Sequence, residues 1–117
     1  MRGNLLVEKS KAFALKGIEL YKRLLDAREH ILSKQFLRSS TSIGANIAEG
    51  QYAQSKADFL SKYSIALKEA SETLYWLDLL SQSGWMPKSA DDSSLVADCE
   101  ELIRLLVASI KTVKEKK

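Results

Sequence analysis

Apolar residues recur at three- and four-residue spacing through most of the 117-residue chain, and this period constrains the fold more than any other feature. A period near 3.6 gathers those residues on one side of a helix, whereas a half-buried strand needs a period of two. No segment alternates β-branched residues between turn signals, and Pro87 is the only proline. The chain is therefore all-α. Helices are expected over about 4–27, 32–52, 56–84 and 90–115. Four amphipathic helices with short connections imply an antiparallel up-down-up-down four-helix bundle, as one domain over residues 1–117.

In the first helix Ala14, Ile18, Tyr21 and Leu25 form the expected inner stripe, widened by Phe13, Leu20 and Leu24. Asn4 is its expected cap. The second carries Leu32, Phe36, Ile43 and Ile47. The third opens with Ser55 and, three residues on, Asp58, a variant of the capping box. Its ridge is Phe59, Tyr63, Ala66, Ala70, Leu77 and Leu80, with Leu60, Leu67 and Leu74 beside it. Gly84 and Pro87 end it. The fourth has Ser89 as expected cap and an inner face of Leu95, Cys99, Leu102, Leu106 and Val113.

Inside the second helix, RSSTSIGANIAEG (Arg38 to Gly50) is full of poor helix formers. Small side chains let helices approach closely, and Ser39, Ser42, Gly44 and Ala45 are the expected contact surface. Pairing the second and third helices about a turn near Ala53 sets Ser42 opposite Ser64 and Arg38 beside Glu69 and Glu72. Arg38 is thus expected to pair with one of those carboxylates, within a structural polar group of Gln35, Arg38, Asn46, Glu49, Glu69 and Glu72. An Arg–carboxylate pair fixes geometry in a way that Lys cannot.

Charge is unevenly spread. Residues 1–38 hold nine basic against four acidic side chains, residues 39–103 four against ten, and residues 104–117 five against one. Basic ends around an acidic middle fit either solvated helix faces, an anionic partner or complementary subunit contacts. Arg2, Lys9, Lys16 and Arg23 recur every seven residues along the first helix. In an up-down bundle its start lies beside the tail carrying Lys111, Lys114, Lys116 and Lys117. These eight residues are the candidate nucleic-acid contacts, through phosphate.

Little in the chain supports catalysis. The single Cys excludes an intramolecular disulfide and a cysteine-rich zinc site, and fits a reducing, cytoplasmic setting. The first residues hold no apolar core of signal-peptide length, and no run is long enough to span a bilayer. No Glu-x-x-His pair and no glycine-rich phosphate loop occurs, so no cofactor or metal site is expected. One pairing offers an enzymatic alternative. Arg23 and His30 have six residues between them, close to the spacing of the Arg and His in four-helix ribonucleases of the HEPN type.

The strings LRSSTSIGANIAEG and QSKADFLSKYSIALKEASETLYWLDLL, with Lys9–Ser10 and Phe13–Ala14 in the first helix, closely resemble the bacterial four helix bundle protein family, also called the 23S ribosomal RNA intervening-sequence protein family. The resemblance implies an all-helical bundle. It also implies kinship with the accessory variability proteins of diversity-generating retroelements, which form five-membered rings and bind nucleic acid and a reverse transcriptase. The expected function is a non-enzymatic, oligomeric binding or scaffold protein, a homopentamer whose basic ends contact RNA or DNA. The alternatives are a ribonuclease using Arg23 and His30, or a protein-only adaptor presenting Tyr75, Trp76 and Trp85.

Overall fold

The structure, a computed structural model, describes the backbone of residues 2–86 and 90–116 and the side chains of residues 5–86 and 94–116. It holds four helices: α1 (Arg2–Asp26), α2 (Leu32–Gly50), α3 (Lys56–Gln82) and α4 (Ala90–Glu115). Helix α1 packs on α2 and α4, α3 packs on the same two, and the diagonal pairs do not approach closely. The result is a closed up-down-up-down bundle of 50 × 21 × 20 Å. No strand occurs among the described residues.

The core follows the expected ridges on three helices. Phe36, Ile43 and Ile47 of α2 meet Tyr63, Ala66, Ala70, Leu77 and Leu80 of α3 and Leu95, Cys99, Leu102 and Leu106 of α4. Val113 is only half-buried near the end of α4. On α1 the expected stripe is off by one residue. Leu6, Phe13, Leu20 and Leu24 are buried, while Ala14, Ile18, Tyr21 and Leu25 stay half-exposed. One position is about 100° on a helix, and the choice falls to the ridge that also carries Gly17, against which α2 packs.

The helix ends show where local chemistry sets the chain path. Helix α1 already runs from Arg2, so Asn4 sits in its first turn and is not its cap. Ser89 and Pro87 lie outside the described residues. Ser55 caps α3 as expected, accepting from the Asp58 N–H at 3.0 Å. Asp58 reaches back to the Gln54 N–H, one residue beyond the usual capping-box partner. Both α1 and α3 end in Schellman turns. At α3 the left-handed position is Gly84 (φ 83°), with Trp85 N–H donating to Leu80 C=O at 3.0 Å. At α1 it is Arg28 (φ 68°), with Glu29 N–H donating to Leu24 C=O at 2.8 Å. The helix ends within one residue of the expected position, although a non-glycine residue in this turn leaves no mark in the sequence.

Candidate interaction surfaces

The small residues of α2 serve two neighbours. Toward α1, a Cβ on Gly17 would stand 3.1 Å from Ser40 Oγ, and one on Gly44 would stand 3.4 Å from Ser10 Oγ. Toward α3, buried Ser39 meets Thr73, their hydroxyl oxygens 2.8 Å apart. A Cβ on Gly50 would lie 2.7 Å from the buried Tyr63 ring, so only glycine fits there. The expected surface is corrected in two places. Ala45 is exposed, and Ser64 is exposed rather than packed against Ser42. A helix pinned between two neighbours divides its small residues between two faces, and the flat hairpin estimate ignored that rotation.

Arg38 clamps α2 to α3 through both candidate carboxylates. Its Nη1 donates to Glu69 Oε2 at 2.8 Å and its Nη2 donates to Glu72 Oε1. Trp76 Nε1 donates to the same Glu72 oxygen at 3.2 Å. The hydrogen bond from Arg38 holds the Glu72 carboxyl below its ordinary range and pushes the guanidinium pKa higher still. The remaining polar residues do not join this clamp. Asn46 Nδ2 donates to the Ser42 carbonyl at 2.9 Å, and Glu49 pairs with Lys62 at 3.1 Å. Gln35 stands exposed. The single polar group expected from the sequence is thus the Arg38 clamp and three residues apart from it. Asn46 and Glu49 lie two to three turns from Arg38 along the helix, beyond its reach.

Glu29 is the functional-looking residue that sequence reasoning missed. It is 7% exposed, in the turn before α2. Its carboxylate accepts from the N–H of Ile31 at 3.1 Å and of Ser33 at 2.6 Å, and its carbonyl accepts from the Ser33 hydroxyl at 2.7 Å. Burial pushes its pKa up, but the donors of Ser33, Leu32 and Ile31 outweigh burial and hold it low. The carboxylate therefore caps α2 from outside the helix, where its negative charge meets the positive dipole end. The signal available was Glu29 followed by Ser33 at a helix start.

The candidate phosphate contacts do not form one ridge. Lys9 pairs with Glu101 at 3.0 Å, and Lys16 with Asp98 at 2.9 Å, so both tie α1 to α4. Arg23 is exposed near the end of α1. Lys111, Lys114 and Lys116 are exposed at the end of α4, where Lys56 of α3 donates to the Lys116 carbonyl. The side chain of Arg2, and all of Lys117, lie outside the described residues. His30 follows the Arg28 turn, beyond the end of α1, so helical spacing does not carry it onto the face of Arg23. Cys99 is buried and its thiol is pushed up to about 12, chiefly by burial. Among the described residues no cluster of His, Cys, Asp and Glu has the makings of a metal site. Among them, too, no helix is long and apolar enough to cross a membrane.

Apolar grooves open on two seams: α1–α4 carries one of about 350 Å³ lined by Leu5, Leu6, Leu105 and Ala108, and α3–α4 carries two larger ones. A groove of about 480 Å³ runs along Leu74, Tyr75, Leu77 and Val96, edged by Asp78 and Glu100. Further along the α3–α4 seam a second, of about 400 Å³, is lined by Leu67, Val107 and Ile110 and edged by Lys111, Lys114 and Glu115. Tyr75 is 56% exposed and Val107 49%. The Tyr75 ring stands edge-on to Trp76, with centroids 5.3 Å apart. The rim thus carries two carboxylates at one end and two lysines with one carboxylate at the other.

These features define an all-α four-helix bundle with apolar grooves along its α3–α4 and α1–α4 seams. By sequence the chain belongs to the 23S rRNA-intervening sequence protein family, whose model matches residues 3–108. No curated protein matches it. A crystal structure of a protein of unknown function from the S23 ribosomal protein family of Bacteroides thetaiotaomicron VPI-5482 has the same fold. It is 46% identical, with a TM-score of 0.90 over 95% of this chain and 99% of that one.

Proposed function

We propose that this protein is a non-enzymatic, self-assembling binding protein. The α3–α4 seam is covered by another copy of the chain, and the lysines at the end of α4 contact a nucleic acid. The observation that carries the reading is the open seam on a bundle whose core is already complete. Four helices bury their inner ridges, yet Leu67, Leu74, Tyr75, Val96, Val107 and Ile110 remain along one outer strip. Contiguous apolar strips on small soluble proteins mark contact surfaces.

A ring of five is the assembly that the family resemblance implies. A cyclic ring uses two different surfaces on each subunit, and the strip supplies one of them. It also gathers the basic ends of all subunits, so weak phosphate contacts add up. With Lys9 and Lys16 held by α4, the phosphate contacts fall to Lys56, Lys111, Lys114 and Lys116. Light scattering at micromolar concentration and moderate salt tests the assembly. A mass near five chains is expected, a dimer mass refutes the ring alone, and a monomer mass refutes self-assembly.

A further inference from the structure

The α2–α3 turn bears on what form of nucleic acid that end of the bundle accepts. Tyr52 in this turn is 87% exposed, more than any other large apolar residue among those described. Its backbone is fixed. Gln51, Tyr52 and Ala53 N–H groups donate to the Ala48, Glu49 and Gly50 carbonyls at 3.0–3.2 Å. Gln51 Nε2 donates to the buried Tyr63 hydroxyl at 2.8 Å, which anchors the turn to the core. The Tyr52 ring therefore projects into solvent from a rigid base.

Its exposed neighbours along the chain, Gln51, Gln54, Ser55 and Lys56, are all polar. A protein hot spot packs its aromatic residue within a desolvated ring of contacts. An exposed flat ring in a polar turn that also carries Lys56 suits a different ligand, an unpaired base whose phosphates meet cations. The cations are present. The Lys56 amine donates to the Lys116 carbonyl, so the turn is tied to the end of α4, where Lys111, Lys114 and Lys116 are exposed.

We infer that this end of the bundle binds single-stranded nucleic acid, with a base stacked on Tyr52 and phosphates on Lys56, Lys114 and Lys116. The inference rests on the nucleic-acid reading above and adds the strand form and the stacking residue. A duplex keeps its base faces inside the stack and offers Tyr52 nothing to cover.

Anisotropy titrations with a labelled mixed-sequence single strand, and with the duplex of the same sequence, test it across a range of salt. The wild-type protein is expected to prefer the single strand. Tyr52→Ala loses roughly tenfold in affinity with its salt slope unchanged, and Tyr52→Phe keeps the affinity. The double variant Lys114→Ala/Lys116→Ala lowers the salt slope by about 1.4. Thermal midpoints of all variants stay near wild type, since these side chains are exposed. If Tyr52→Ala binds like wild type while the lysine variant loses slope, the stacking inference is overturned and the nucleic-acid reading stands. Equal or tighter duplex binding also overturns it. No binding of either strand form overturns both, and displacement by polyglutamate as effective as by unlabelled strand identifies a general anion site instead.

Discussion

Along α2, helix α3 meets small side chains, a glycine under a tyrosine ring and a doubly paired arginine; along α4, it meets branched apolar residues that stay partly open to solvent. The first seam is sealed by contacts whose geometry admits few alternatives. The second is covered only partly from within the chain. One helix thus carries a fixed register on one side and an unfinished surface on the other. The difference separates residues that hold the fold from residues available to a partner. Substitutions on the two seams should therefore change different observables.

The largest effect on stability is expected at Gly50. In Gly50→Ala the new methyl meets the buried Tyr63 ring at 2.7 Å, and overpacking of this kind costs about 1–3 kcal/mol. Chemical denaturation measures it, and a midpoint equal to wild type would show that the seam yields. Arg38→Ala follows. It leaves Glu69 and Glu72 without their cation at a half-exposed site, for a loss of about 1–2 kcal/mol. Arg38→Lys recovers only part, because one amine cannot span both carboxylates. Neither change should alter the assembled mass at temperatures where the protein is folded.

Acid acts on the same helix. The carboxyls of Glu29 and Glu72 both have folded pKa values below their unfolded ones, and both grip α2. The stability they contribute is present above the unfolded value, about 4.3, and is lost as pH falls through the folded values. Stability should thus decline below about pH 4, and Glu29→Gln should show a flatter acid limb in denaturation midpoints. The smallest effect belongs to the α1–α4 seam. Lys16→Ala removes an exposed pair with Asp98 and should cost under about 1 kcal/mol, less in high salt. A loss as large as that of Arg38→Ala would erase the contrast between clamped and solvated pairs.

How much of this was legible in the sequence follows from the range of each interaction. The helices were visible because apolar periodicity is local. The Arg38 partners were visible because a short hairpin fixes which residues sit level. The inner ridge of α1 was missed by one position, since its choice depends on Gly17 meeting Ser40 across the bundle. The break between the first two helices was expected, but the left-handed turn at Arg28 that makes it was not, because a left-handed arginine resembles any other, and Glu29 was missed because its cap acts from outside the helix. The ion pairs of Lys9 and Lys16 lie 92 and 82 residues from their partners. Nothing in a seven-residue repeat of cations shows that an opposite helix has already neutralised two of them. The exposure of Tyr52 was equally invisible, because a tyrosine just past a helix end packs or projects according to the turn that follows.

The central claim is that the α3–α4 seam is a contact between copies of this chain. It is tested by light scattering on wild type, on Tyr75→Glu/Val107→Glu, and on Ile31→Glu, which alters a still more exposed residue at the α1–α2 turn. The account predicts an oligomer for wild type and Ile31→Glu, and a folded monomer for the seam variant by circular dichroism. A monomeric wild type, or a seam variant that keeps the wild-type mass, would contradict it.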